Sequence, residues 1–247
     1  MSAPLFFVSA DQLDGATAGS ELILGGREGR HGATVMRIGA GERVLLTDGI
    51  GSRADAVVES VGVGELRLRL RATTRQRLPG SRFVLVQALA KGDRGEQAIE
   101  AATELGVDEV VPWQAARSIV IWRGERALRS QRKWESVVLA ATKQSRRTRV
   151  PLVGELAGQG AVIARIQAAA LARVLHEEAQ QTLAGLELPQ SGDVVVIVGP
   201  EGGVAPDEMS AFVAAGAAAV RLGPNVLRSS SAGPAALAVL SAAGRWR

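Results

Sequence analysis

Val194-Val195-Val196-Ile197-Val198, followed directly by Gly199-Pro200-Glu201-Gly202-Gly203, is the stretch on which the reading of this chain turns. Five consecutive β-branched residues leave no polar face, so the segment reads as a strand buried on both sides, as in a parallel sheet. The glycines after it let a ligand come close to the backbone. Pro206 then opens a helix that runs to Ala215 and is closed by Gly216. Strand, glycine-rich turn and helix N-terminus in succession place free N–H groups beyond the carboxyl end of a strand, where open parallel sheets bind ligands. The turn lacks the G-x-G-x-x-G dinucleotide fingerprint, and the chain has no G-x-x-x-x-G-K-[ST] phosphate loop. A turn of purely structural purpose is the competing reading.

Outward from this point the chain alternates strands and helices. Phe83–Leu89 reads as a strand, Arg94–Leu105 as a helix ending at Gly106, and Glu109–Pro112 as a strand. A helix around Arg129–Gln144 precedes the break at Pro151; Ala161–Ala170 is helical and Arg173–His176 a short strand. Beyond Gly216 come a strand at Ala219–Leu222 and a final helix near Ser231–Ala243. That order implies an α/β domain around a parallel sheet. Leu222-Gly223-Pro224-Asn225-Val226-Leu227-Arg228-Ser229-Ser230-Ser231 is a second loop between a strand and a helix. The two loops side by side make a pocket of backbone donors and acceptors, with Arg228 as the cation at its rim.

The first ~70 residues read as a small β-rich module. Glu42–Leu46, Ala54–Glu59 and Glu65–Arg71 are strand-like runs separated by turn signals at Asp48-Gly49 and Gly62/Gly64. Leu66, Leu68 and Leu70 alternate with Arg67, Arg69 and Arg71, so strand geometry puts the leucines on one face and the arginines on the other. The arginine face is either solvated or turned to nucleic acid. Residues 72–81 are polar with a Pro-Gly break, which sets a boundary between domains at 1–73 and 80–247.

Composition narrows the chemistry. No cysteine is present, which excludes disulfides, thiolate zinc sites and cysteine nucleophiles. Two histidines, His31 and His176, are little material for a metal site, and no metal is expected. The net charge is +4, supplied mostly by arginine, which suits a polyanionic partner or reflects a GC-rich genome. No apolar run approaches the ~20 residues of a membrane span, and no basic start with an apolar run marks secretion, so a cytoplasmic protein is expected.

Several blocks together resemble the ribosomal RNA small-subunit methyltransferase E family, of the SPOUT superfamily. The C-terminal ones are Gly199–Gly203 with Val204-Ala205-Pro206-Asp207-Glu208, then Leu222-Gly223 and Val226-Leu227-Arg228. Upstream, Ala88-Leu89-Ala90-Lys91-Gly92-Asp93-Arg94, Glu104-Leu105-Gly106-Val107 and Gln144-Ser145-Arg146-Arg147-Thr148-Arg149-Val150-Pro151 are similar in order and spacing. So are Phe6-Phe7-Val8 and His31-Gly32-Ala33-Thr34-Val35-Met36-Arg37 with Asp48-Gly49. The resemblance covers nearly the whole chain. It implies an N-terminal PUA-like β-barrel and a parallel-sheet SPOUT domain with a trefoil knot. It also implies a homodimer and the methyl donor S-adenosylmethionine. The implied reaction is methylation of N3 of a uridine in 16S ribosomal RNA, on naked RNA or the 30S subunit. Another SPOUT activity such as ribose 2′-O-methylation, or a non-catalytic role in ribosome assembly, is the alternative. Methylation at C5 of a pyrimidine is excluded, because that route needs a cysteine.

Carried over by position, the donor pocket is Leu175, His176, Gly199, Pro200, Glu201, Gly202, Gly203, Leu222, Gly223, Val226, Leu227 and Arg228. Arg228 is the candidate to stabilise charge on the uracil carbonyls, and Glu201 either accepts the N3 proton or shapes its loop. His31, Arg37, Lys91, Arg94, Arg146, Arg147 and Arg149 are the candidate RNA contacts; Lys143–Arg149 alone holds four cations in seven residues. One departure stands out: Ser229-Ser230-Ser231 occupies the place of the family's Thr-Glu-Thr-like sequence, so no acidic side chain acts there. A serine is expected to cap the last helix instead.

Overall fold

The structure is a computed structural model that describes residues 3–78 and 80–246. Pro79, inside the polar boundary stretch, and Met1, Ser2 and Arg247, at the ends of the assigned domains, lie outside the described residues. The chain forms two compact units, Met1–Leu78 with Thr142–Val150, and Pro79–Ala141 with Pro151–Arg247.

In chain order the first unit contains β1 (Leu5–Phe7), α1 (Ala10–Leu13), β2 (Glu21–Leu24), α2 (Gly26–Arg30), a π-helical turn (His31–Val35), β3 (Arg43–Thr47), β4 (Ser52–Gly62) and β5 (Glu65–Arg75). The strands form one sheet in the order β1-β3-β4-β5-β2, with β1 parallel to β3 and the other neighbours antiparallel. Leu66, Leu68 and Leu70 are buried with Phe6, Leu24, Val44 and Leu46, while Arg67, Arg69 and Arg71 are exposed, as the alternation requires. Arg69 is spent on the carboxylates of Glu21, at 2.8 Å, and Glu59. β5 runs on to Arg75, so the polar stretch from residue 72 is still strand, kept in register by shifts at Asp55/Ala56 and Val58/Ser60.

Thr142–Val150 belongs to this unit. A helix ends here with the Arg146 N–H on Lys143 O at 3.2 Å and the Arg147 N–H on Thr142 O at 3.0 Å. Arg146 sits at φ +56° in the left-handed position usually given to glycine. The Lys143 ammonium is 2.8 Å from the Glu28 carboxylate and 5.4 Å from the centre of the Phe6 ring. Thr47 Oγ1 donates to Thr148 O at 2.9 Å, and the Val150 N–H donates to Gly49 O at 2.9 Å. The strand-rich module is therefore completed by a segment some 70 positions downstream of β5.

The second unit contains β6 (Ser81–Ala88), α3 (Arg94–Glu104), β7 (Glu109–Trp113), α4 (Gly124–Ser145, whose last residues enter the first unit), β8 (Leu152–Val153), α5 (Gln159–Ala168), β9 (Leu171–Leu175), β10 (Gly192–Val198), α6 (Pro206–Ala214), β11 (Ala218–Val220) and α7 (Ser229–Ala243). Among the described residues its sheet runs β11-β9-β10-β6-β7-β8, and every neighbouring pair is parallel. β10 lies inside it, with Val194–Val198 at most 2% exposed. Val195 and Ile197 pack with Val84, Val86, Val162 and Phe212 on one side. α7 packs on β6, β10 and α3; a Cβ at its Gly233 would meet the Leu85 methyls at 3.0 Å, so glycine permits that close approach.

The end of α7 is tied down by Arg245. Its guanidinium donates to Gly106 O at 2.6 Å and Ser81 O at 2.8 Å, binds the Asp108 carboxylate, and stacks 3.7 Å from the Phe83 ring centre. Arg245→Ala is expected to cost about 2–3 kcal/mol, because Asp108 is left without its cation. Arg245→Lys should restore little, since an ammonium cannot reproduce the fork. Urea unfolding of the full chain measures both.

Candidate active site

The chain leaves the sheet at the C-terminal ends of β9, β10 and β11, and the three exits enclose a cavity of about 460 Å³, within the usual ligand range. Its wall is Leu175–Glu177, Val198–Glu201 with Gly203 and Val204, and Val220–Gly223 with Asn225–Ser229, joined by Ala232 and Arg94. Every residue that the sequence assigned to the pocket lines it except Gly202. The carbonyl of Gly202 instead accepts from the Arg117 guanidinium at 2.9 Å. Arg94, assigned to RNA, lines the cavity too.

The Gly199–Gly203 loop has little stiffness of its own. A Cβ at Gly199 would meet Val204 Cγ2 at 2.9 Å and Val204 N at 3.1 Å, and Gly203 sits at φ +74°. The Gly203 N–H closes the turn on Pro200 O at 2.9 Å. Rigidity comes from side chains around it. The Glu201 carboxylate accepts from the Lys91 N–H at 3.1 Å and from Arg94 at 2.7 Å. Burial pushes that carboxyl up, but its own amide, Arg94 and the Lys91 amide together hold it below the usual glutamate range. Glu208, 3% exposed, accepts from the Ala205 N–H at 3.2 Å and the Ala116 N–H at 2.8 Å. It thereby fixes the start of α6 to the strand exit that carries Arg117.

On the far wall the His176 N–H binds Val220 O at 2.9 Å. Leu183 and Gln181, in the connection from β9 to β10, exchange bonds with the backbone of Arg221, each at 2.9 Å. At the start of α7 the N-cap is Arg228 rather than a serine, and it makes no side-chain cap bond. The expected serine cap is thus not formed, because Arg228 O already receives the Ser231 and Ala232 N–H groups at 2.9 Å, and Ser229 stands one position inside the helix. The Arg228 side chain is exposed and has no hydrogen bond or ion pair among the described residues. The cavity thus combines apolar walls, exposed backbone polar groups and an uncommitted guanidinium.

Of the other RNA candidates, His31, Arg37, Arg146, Arg147 and Arg149 lie in the first unit and Lys91 in the second. His31 meets Phe6 edge-on at 6.5 Å, and Arg37 is exposed at φ +54°. Arg149 donates to Gln76 O at 3.0 Å. Sequence reasoning missed Glu177 and Arg117, and it quoted Asn225 and Glu208 within their motifs without giving either a role. Only the adjacency of Glu177 and Asn225 to assigned residues signalled them, whereas Arg117 and Glu208 act through contacts 85 and 92 positions apart. Among the described residues no group of three or more metal-ligating side chains occurs, and no helix is long and apolar enough to cross a membrane.

The chain is similar to known proteins along nearly its whole length. Residues 76–241 match the family model of an RNA methyltransferase domain, and residues 24–70 that of an RNA methyltransferase PUA domain. The Mycobacterium bovis ribosomal RNA small subunit methyltransferase E is 44% identical, covering 100% of this chain and 94% of its own. The Bacillus subtilis protein of the same name is 28% identical over 87% and 88%. Among solved structures, a Neisseria gonorrhoeae ribosomal RNA small subunit methyltransferase E bound to S-adenosyl methionine superposes with a TM-score of 0.82 at 26% identity, covering 98% of each chain. A Legionella pneumophila protein solved with S-adenosylmethionine gives 0.81 at 26% identity, again over 98% of each.

Glu201→Gln removes the charge while keeping the shape, and is expected to cost about 1–2 kcal/mol at neutral pH. Since the folded carboxyl lies below its unfolded value, that stabilisation is complete above about pH 4.3 and fades as pH falls through the folded value. The gap between wild-type and E201Q urea midpoints should therefore be largest at neutral pH and shrink in acid.

Proposed function

The chain belongs to the ribosomal RNA small subunit methyltransferase E family, and from that premise we propose that it methylates N3 of a uridine in 16S ribosomal RNA with S-adenosylmethionine as donor. The observation that carries the reading is the 460 Å³ cavity at the ends of β9, β10 and β11. Its size and its apolar and backbone-polar wall fit an adenosyl group, which Leu175, Val198 and Leu222 and the backbone of the two loops would hold. Bound there, the donor would supply an electrophilic methyl, which N3 would gain as the C–S bond broke and the N3 proton left to water.

Arg228 stands at the cavity with no competing partner, and its charge stabilises the negative charge that the uracil carbonyls gain as N3 loses its proton. Glu201 serves the loop rather than the proton. A carboxylate already bound by Arg94 and the Lys91 amide, with a lowered pKa, is a poor base. RNA is held through phosphates by arginines of the first unit, Arg37, Arg146 and Arg147 among them. The reading includes the SPOUT knot and a PUA-type barrel. The contacts of Gln181 and Leu183 with Arg221, across the path leading to α7, support the knot. It also includes a cytoplasmic location and a homodimer, and the exposed apolar side chains Ile119, Ile121, Val226 and Leu227 give support to the homodimer.

Incubating unmodified small-subunit RNA or subunits with the protein and S-adenosylmethionine, followed by nucleoside mass spectrometry, is expected to yield 3-methyluridine. A 2′-O-methylated nucleoside would replace this reading with the ribose reaction, and no methylated product would remove it. Arg228→Ala should lower turnover by about 10²-fold with donor binding nearly unchanged; near-normal turnover contradicts the role given to Arg228.

A further inference from the structure

His176 follows β9 directly at the cavity wall, and its ring is held from one side. Nδ1 accepts the N–H of Glu178 at 3.2 Å, so the ring does what an asparagine oxygen does in an Asx turn. A ring nitrogen that accepts a hydrogen bond carries no proton, and in a neutral imidazole the proton must then sit on Nε2. Among the described residues nothing accepts from Nε2, and the residue lines the cavity beside Glu177, Leu222 and Gly223.

We propose that His176 is a tautomer-fixed hydrogen-bond donor whose Nε2–H binds an acceptor oxygen of S-adenosylmethionine, on its ribose or its carboxylate. The inference rests on the assignment of the cavity to that donor. The donor carries positive charge on its sulfonium and ammonium groups, so a neutral N–H there binds it without the repulsion a second cation brings. A ring already locked by Glu178 gives up little rotational freedom on binding.

The chain has only two histidines, so the full-length protein labelled with ¹⁵N-histidine shows two imidazoles, and His31→Gln assigns them. Under alkaline conditions in which an imidazole is neutral, His176 is expected as a single tautomer protonated on Nε2, and saturating S-adenosylmethionine should shift that N–H. A proton on Nδ1, averaging between tautomers, or an Nε2 signal unmoved by the ligand overturns the proposal. His176→Asn separates the two duties of the ring, because the asparagine oxygen keeps the turn while its NH2 ends short of the position of Nε2. Calorimetry should show S-adenosylmethionine binding weakened about tenfold with the unfolding midpoint unchanged; binding equal to wild type means the ring serves the turn alone. A wild-type chain that binds no S-adenosylmethionine overturns the functional reading itself, a result distinct from equal binding by wild type and variant.

Discussion

The carboxylate of Glu201, bound to the Lys91 amide and the Arg94 guanidinium, is the contact on which the cavity most depends. Glycines let the backbone turn at the end of β10 and come close to a ligand, but the same freedom leaves the loop floppy unless something outside holds it. Here the holding groups come from the neighbouring strand exits. Lys91 and Arg94 follow β6, and Arg117 follows β7. Glu208 at the start of α6 binds the Ala116 amide. The parallel sheet brings all of these exits to one edge, and hydrogen bonds convert that proximity into a fixed wall. A charged side chain here fixes backbone, and the same bonds hold its carboxyl below the usual glutamate range.

The opposite wall is built by another device. β11 is a three-residue strand at the edge of the sheet, too short to define a loop by itself. The connection between β9 and β10 pairs with Arg221 just past its end, and His176 pairs with Val220. Beyond that point α7 is anchored at its far end by Arg245 and packed on β6 and β10 along its length. The loop 222–228 is thus suspended between two fixed ends, while its own Val226 and Leu227 remain exposed.

Much of this was legible in the sequence, and for local reasons. The run Val194–Val198 admits only a buried strand. The alternation of Leu66, Leu68 and Leu70 with arginines sets the faces of β5. Gly106 and Gly216 punctuate helices where the structure ends them. The two glycine-rich loops after successive strands placed nearly the whole cavity wall. What stayed hidden depends on contacts far apart in the chain. Nothing near Arg117 or Glu208 announces that they brace a loop some 90 positions away. The helical run before Pro151 gives no sign that Thr142–Val150 joins the N-terminal module, because the contact of Lys143 with Glu28 links residues 115 positions apart. The start of α7, expected near Ser231, lies two residues earlier at Ser229, and its N-cap is Arg228 rather than the serine that capping propensity favours.

Hydrogen–deuterium exchange of the full-length protein with and without S-adenosylmethionine tests the central claim most directly, that the exits of β9, β10 and β11 form one donor pocket. The account predicts added protection in three separated stretches together: around Leu175–Glu177, across Gly199–Val204, and from Leu222 into the first turn of α7. Protection confined to one of the three, or falling in the N-terminal module instead, would contradict it.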